Sequence, residues 1–486
     1  MSDRRSILDE IQRSQEAVRA AEAANPDAAD WPPRSWDDVG NASRLLQHAN
    51  GRLLWVADTG TWARYQGNRW SMNREAGNVS AQAMVIEVYP LEAERYSDEP
   101  DAKGKSDRSK FRDWASTQRK VGPITAAARS LQFTERVNCL STDFDREAMH
   151  FNAANGVVDL RTGEILDHDP AMMHSQASDV AYEPAATSVR WRAFLDRVMP
   201  DPEMQGYLQR LVGYSLTGST AEQVMFIHHG ETANGKSVFL QVMAAIVGEY
   251  GQVVPPNSLV ATTADKHPTD INRMQGKRLL QMSETARGAR LDEALIKRLT
   301  GQEAVTARAM GQDFHDFRIV GKIHMVTNHL PHLSASDPAV LRRIQPVHWG
   351  VTIPEEERDG TLAETLIREE AAGILAWAVQ GALQWAQEGL GVPAVARLDA
   401  ARYVASEDEL GMWLEERTLA ATERWERADV LYADYKGWAE AGGIRPMSIT
   451  AWGRDLKVRG MDKKRTAGGV AYPLVRANFD HLRTGE

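Results

Sequence analysis

The stretch VMFIHHGETANGKSVFLQVMAAIVG, Val224 to Gly248, decides the fold. Its apolar opening, Val224–Ile227, reads as a buried strand, and Val238–Gly248 reads as a helix. Between them Gly230-Glu231-Thr232-Ala233-Asn234-Gly235-Lys236-Ser237 satisfies the pattern G-x-x-x-x-G-K-[ST] at every fixed position. The glycines let the backbone wrap so that successive N–H groups point at phosphate oxygens, and the helix N-terminus adds its positive dipole. Lys236 is expected to reach the β- and γ-phosphates, with the Ser237 hydroxyl on Mg²⁺. A nucleotide site for ATP and Mg²⁺ follows, carried by a strand, loop and helix in the right order.

What the nucleotide drives is read further along the chain. Lys277–Met282 reads as a strand ending at Ser283-Glu284, where a motor ATPase keeps its water-activating carboxylate. Glu284 is the candidate base and a candidate metal ligand beside Ser237. A second strand, Lys322–Asn328, ends in Asn328, a candidate contact to the γ-phosphate or the attacking water. Val340-Leu341-Arg342-Arg343-Ile344 follows. One of its paired arginines could reach the phosphate held by a neighbouring subunit, as an arginine finger does. The alternation of strands and helices from Gln223 onward signals an α/β domain with a mostly parallel sheet.

The bulk properties fit this reading. At 486 residues the chain exceeds one ordinary core. With 43% hydrophobic and 26% charged residues it has the composition of a globular protein. No apolar run reaches membrane-spanning length and no leader opens the chain, so a cytoplasmic location is expected. The single cysteine, Cys139, excludes an internal disulfide and reads as a small buried side chain. A net charge of −10 excludes a polybasic coat, but a DNA-threading ring needs positive charge only along its channel and accessory modules. A polar helix and Pro-Pro linker occupy residues 1–35, and short β runs with Thr59-Gly60, Asn155-Gly156 and Thr162-Gly163 turns fill much of 36–200. The P-loop domain is placed at 201–370, with helices and a basic strand-turn-strand at 371–486.

Together, GETANGKS, KRLLQMSET, DEALIKRLTGQEAVTAR, KIHMVTNHLP and AVLRRI, in that order, resemble the superfamily 3 helicases of the AAA+ class. More narrowly they resemble the helicase part of the phage, plasmid and poxvirus primase-helicase proteins. Trp36–Trp70 and Phe151–Pro170 are similar to that family's N-terminal companion domain, and Val430–Trp438 is similar to its C-terminal winged-helix region. The resemblance implies an AAA+ core between an α+β companion and a winged-helix module. It also implies a homo-hexamer that hydrolyses ATP and moves 3′→5′ on single-stranded DNA. Lys236, Ser237, Glu284, Asn328 and Arg342 or Arg343 carry over by position. One departure stands out: many AAA+ motors have two adjacent acids where this chain has Ser283 before Glu284.

The family's DNA-contacting hairpin maps to Val305–Lys322, with a turn near Met310-Gly311-Gln312, making Arg308, His315 and Lys322 candidate phosphate contacts. Ala451–Glu486 carries eight basic against four acidic residues, which suits a wing on DNA through Lys463, Lys464 and Arg465. Some 35 residues precede the shared region, too few for a polymerase-type fold, so a separate primase is the expected partner. Asp143 and Asp145 in STDFD pose the rival of a two-carboxylate metal site. A replication initiator that assembles on an origin with little unwinding is the alternative function.

Overall fold

The computed structural model describes residues 35–255, 258–259, 271–283, 290–301, 303–307, 315–331, 333, 338–406, 408–420, 424–442, 446–466 and 469–476. The helix expected before residue 35, Glu284, Arg308 and the turn at Met310–Gln312 lie outside them. Contacts divide the chain into two compact units, one of residues up to 66 with 70–143, the other of 67–69 with 144–486.

In the first unit, α1 (Asp38–Ala49) starts where the Asp37 carboxylate accepts the Gly40 N–H, an ordinary N-cap. Strands β1 (Leu53–Val56), β2 (Thr61–Tyr65) and β3 (Trp70–Met72) form the expected meander, and β4 (Asn138–Cys139) extends it in the order β3-β2-β1-β4. Helices α2 (Ala76–Ala93), α3 (Asp107–Thr117) and α4 (Val121–Leu131) bring Met84, Phe111 and Leu131 to one core. Arg44 is fully buried there and holds Glu92 through two bonds of 2.7 Å. Burial pushes the Cys139 thiol up to about 12, in keeping with a small unreactive side chain.

The second unit opens with an antiparallel sheet of β5 (His150–Ala153), β6 (Gly156–Asp159) and β7 (Ile165–Leu166), the first two joined at Asn155-Gly156. Helices α5 (Val189–Val198) and α6 (Pro202–Leu216) lead into β8 (Met225–His229), α7 (Lys236–Val247) and β9 (Gly251–Val254). Then come β10 (Leu279–Met282), α8 (Glu293–Thr300), the hairpin of β11 (Ala304–Ala307) and β12 (His315–Arg318), and β13 (Lys322–Thr327). Short α9 (Pro338–Leu341), β14 (Ile344–His348) and the 27-residue α10 (Leu362–Glu388) complete the core, followed by α11 (Ala394–Ser406). The central sheet runs β14-β8-β13-β10-β9, and every neighbouring pair is parallel. This is a mixed α/β fold around a parallel sheet. The interior strands β8 and β13 are almost wholly buried, which is why they lack the alternation of a half-exposed strand.

Two boundaries differ from the sequence reading. Phe151, Val158 and Leu160 share one core with Tyr207, Phe226 and Phe239, so the physical division falls at residues 143/144 and not near 200. Position 370 falls inside α10, whose Ile374, Leu375 and Ala378 pack in the same core. Its closest approach is to α6. A Cβ on Gly381 would lie 2.0 Å from the Gln209 carbonyl oxygen, and one on Gly213 would lie 2.0 Å from the Ala382 nitrogen. These mid-helix glycines let two backbones touch.

The C-terminal part has its own core of Leu410, Trp413, Leu431, Tyr435, Trp452 and Leu456. It comprises α12 (Glu409–Arg417), β15 (Thr418–Ala420), β16 (Glu426–Arg427), α13 (Ala428–Ala441), α14 (Ile449–Val458), β17 (Lys464–Thr466), β18 (Gly469–Tyr472) and β19 (Leu474–Arg476). No helix among the described residues is long and apolar enough to cross a membrane.

Candidate nucleotide site

All of Gly230–Ser237 lies at the carboxyl end of β8, the edge of a parallel sheet where ligands gather. Gly230 has φ +142° and Gly235 φ +89°, and Ala233 also takes a left-handed conformation at φ +57°. The loop is tight: a Cβ on Gly230 would lie 2.4 Å from the Trp349 carbonyl oxygen. On Gly235 it would meet Val198 at 2.8 Å and Phe194 at 3.0 Å. Alternating conformations of this kind turn successive N–H groups into one concavity, and α7 begins at Lys236 directly behind it.

Two anchors outside the motif hold the loop. Asn234 is buried and donates its side-chain amide to the Trp349 carbonyl at 3.0 Å. The Ile353 N–H donates to the Ala233 carbonyl at 2.7 Å. Lys236 is 4% exposed, and its ammonium donates to the carbonyls of Gly230 and Glu231 at 2.7 Å and to Asn234 Oδ1 at 3.0 Å. Glu231, Thr232 and Ser237 face solvent. A lysine held by neutral loop oxygens, a row of backbone donors and an exposed hydroxyl at a helix N-terminus fit a triphosphate with its cation.

The sheet register sets the other predicted residues around the loop. Thr327 pairs with His229 and Met282 with Met325. Asn328 therefore follows the strand next to the loop, and Ser283 follows the strand after that. Glu284 lies outside the described residues, as does Arg308. Of His315 the backbone alone is described, at the start of β12 opposite Ala307.

The paired arginines separate. Arg342 is exposed, whereas Arg343 is buried. Arg343 donates to Thr300 Oγ1 at 3.1 Å and to the Ala339 carbonyl at 2.6 Å, which ties α9 to α8. Its guanidinium is committed to its own fold, so of the two Arg342 alone lies on the surface.

Lys322 requires a correction. It is 2% exposed, with its ammonium donating to the carbonyls of Thr217, Val320 and Ser219 and lying 5.0 Å from the Tyr214 ring. Burial holds its pKa well below the ordinary lysine value. The charge meets the negative C-terminal end of α6 rather than a DNA phosphate. The two carboxylates of the rival reading both cap turns. Asp143 accepts the Leu140 N–H at 2.7 Å, and Asp145 accepts the Ser175 N–H at 2.9 Å and the Ser175 hydroxyl. Among the described residues no cluster of three His, Cys, Asp or Glu is placed to hold a metal ion.

Three histidines of the sheet edge stay neutral. Burial lowers His228 to about 3 and His229 to about 4, and holds His324 well below its ordinary value. Because the unfolded chain takes up these protons near pH 6.5 and the folded chain does not, stability is full above that pH and falls below it. Between pH 7 and pH 5 each fully shifted histidine should remove about 2 kcal/mol. Urea denaturation at the two pH values measures the loss, and an unchanged midpoint would contradict the neutral assignment.

On the C-terminal part, Lys463, Lys464 and Arg465 are all exposed, the last two on β17, which pairs with β18 as a hairpin. Arg417, Arg427, Arg459 and Arg476 are paired with Asp434, Asp429, Asp408 and Glu426. Among the described residues Arg454, Lys457, Lys463, Lys464 and Arg465 take no ion pair, and Lys464 lies 5.7 Å from the ring of half-exposed Trp425.

Two family models and several proteins are similar to parts of this chain. Residues 42–200 match the family described as D5 N terminal like, and residues 228–343 match a family of unknown function, DUF5906. The chain is 24% identical over 199 residues to "Putative helicase L207/L206" of Acanthamoeba polyphaga mimivirus, a match covering 40% of this chain and 21% of that protein. It is 21% identical over 226 residues to "Putative primase C962R" of African swine fever virus, covering 45% of this chain and 24% of that protein. The chain thus spans about a quarter or less of the length of these curated relatives. A solved structure, the apo NrS-1 C terminal region, aligns over 91% of this chain and 99% of its own at 10% identity and a TM-score of 0.46. Part of the chain, residues 42–200, thus carries the D5 N terminal like family's pattern, and the chain is similar to viral proteins named as putative helicases and primases.

Proposed function

We propose that this chain is the ATP-hydrolysing motor of a DNA helicase, a superfamily 3 AAA+ core working as a homo-hexameric ring that moves 3′→5′ on single-stranded DNA. The observation that carries this reading is the edge of the parallel sheet. The phosphate loop follows β8, Asn328 follows β13 beside it, and Ser283 follows β10, all at the carboxyl edge, with Glu284 next in the chain; exposed Arg342 precedes β14 at the opposite edge, on a surface open to another subunit. In this reading Lys236 and Ser237 hold the triphosphate and its Mg²⁺, and Glu284 activates water. Asn328 orients the γ-phosphate, and Arg342 reaches the nucleotide of the next subunit. Bound Mg²⁺ neutralises charge on the β- and γ-oxygens; the chain's part is to hold and orient them. The β11–β12 hairpin, between acid and sensor strand, is where the ring would grip DNA. The site's function is tested by ATPase and forked-DNA unwinding assays on wild type and Lys236→Ala.

The C-terminal helices and β17–β18 hairpin are read as a winged helix whose wing contacts DNA phosphates through Lys463, Lys464 and Arg465. Replacing the three with serine should weaken single-stranded DNA binding. It should also reduce the slope of log affinity against log salt by about 2, since each phosphate contact contributes roughly 0.7. Fluorescence anisotropy across a salt series measures this. An unchanged slope would remove the wing from the DNA path.

A further inference from the structure

We propose that Trp349 is a positioning residue for the phosphate loop, held in place by a one-way chain of hydrogen bonds through His228 and His324 to Ser215. The inference rests on the reading of Gly230–Ser237 as a nucleotide site.

Trp349 is 1% exposed and meets the loop region three times. Its N–H donates to the His229 carbonyl at 2.8 Å, its carbonyl accepts from Asn234 at 3.0 Å, and its indole Nε1 donates to His228 Nδ1 at 3.2 Å. The indole N–H can only donate, so His228 Nδ1 must be the bare acceptor nitrogen and Nε2 must carry the proton. That Nε2 lies 3.2 Å from His324 Nδ1, with the two rings inclined by 16° and their centres 5.4 Å apart. His324 Nδ1 is therefore bare as well, and its Nε2–H faces Ser215 Oγ at 3.0 Å. The Ser215 hydroxyl passes its own proton to the Leu211 carbonyl at 2.8 Å. Both rings are neutral, every polar atom along the path is satisfied, and the direction is set at one end by a group that cannot reverse.

The path crosses from the segment after β14, through β8 and β13, to α6. It fixes the indole, and with it the carbonyl against which Asn234 and Gly230 are set. Ordinary packing would hold a buried tryptophan without specifying a tautomer in two histidines; this arrangement specifies both.

The test uses the full chain labelled with ¹⁵N-histidine at pH 7.5, with the two rings assigned through His228→Gln and His324→Gln. In wild type both rings should show the Nε2–H tautomer, without nucleotide. Trp349→Phe keeps the ring and removes the donor. It should release the tautomer order and raise KM for Mg-ATP about tenfold, the loss expected for one buried hydrogen bond, with kcat within about twofold. Ser215→Ala should leave both tautomers as they are, because the order is imposed from the other end. An Nδ1–H tautomer or an imidazolium at either ring in wild type overturns the proposal whatever the variants do. So does a Trp349→Phe protein with unchanged KM. If wild type neither binds nor hydrolyses Mg-ATP, the nucleotide reading fails and the positioning role with it, a result distinguishable because the spectra are recorded first and need no nucleotide.

Discussion

Lys236→Ala is expected to reduce DNA-stimulated ATP turnover by at least about two orders of magnitude, the loss typical when one preorganised electrostatic donor is removed from a reacting centre. The lysine is buried among neutral oxygens of Gly230, Glu231 and Asn234, so its charge is desolvated and poorly screened. A phosphate entering the loop would exchange those weak acceptors for anionic oxygens, and charge-assisted bonds are roughly twice as strong as neutral ones. Alanine removes that exchange while leaving Gly230 and Gly235 free to keep their conformations. Turnover should collapse and strand separation with it, while circular dichroism shows the fold retained. Coupled-enzyme ATPase and forked-DNA unwinding assays measure the first two. Unwinding that survives the substitution would end the motor reading.

The second large effect separates two neighbouring arginines by mechanism. Arg342→Ala should lower kcat about a thousandfold, as loss of an arginine finger does, with nucleotide binding and fold preserved. Arg343→Ala should act on stability instead. Its guanidinium donates to Thr300 and to the Ala339 carbonyl, and deleting it removes two buried bonds from a charged donor and leaves a void behind, at a cost of about 2–3 kcal/mol. Steady-state kinetics and urea denaturation on both variants distinguish the outcomes. If Arg343→Ala is stable and inactive while Arg342→Ala is active, the assignment is reversed.

The strand, tight turn and helix around Gly230–Ser237 were legible in the sequence because such a turn requires glycine where Trp349 closes in on Gly230. Asn328 was legible through strand order, and the sheet register places it beside the loop. Burial was not legible in the same way. Lys322 and Arg343 carry surface-type side chains, yet each is drawn inward by carbonyl acceptors that come from distant segments, Thr217 for one and Ala339 with α8 for the other. Trp349, His228, His324 and Ser215 form no pattern along the chain, because their relation exists only once β8, β13, β14 and α6 have packed. The companion domain's extent reads differently by similarity and by packing. Similarity groups residues 42–200 with one family, while packing gives Phe151 and Val158 to the core of the parallel sheet.

The central claim is that a nucleotide gripped by Lys236 of one subunit is completed by Arg342 of the next. Mixing Lys236→Ala with Arg342→Ala protein, each inactive alone, tests it most directly. In a head-to-tail ring, equal mixing gives about a quarter of interfaces with both residues intact, so DNA-stimulated ATPase should return toward about a quarter of the wild-type rate. A mixture as inactive as its components, under conditions where the two demonstrably co-assemble, would contradict the account.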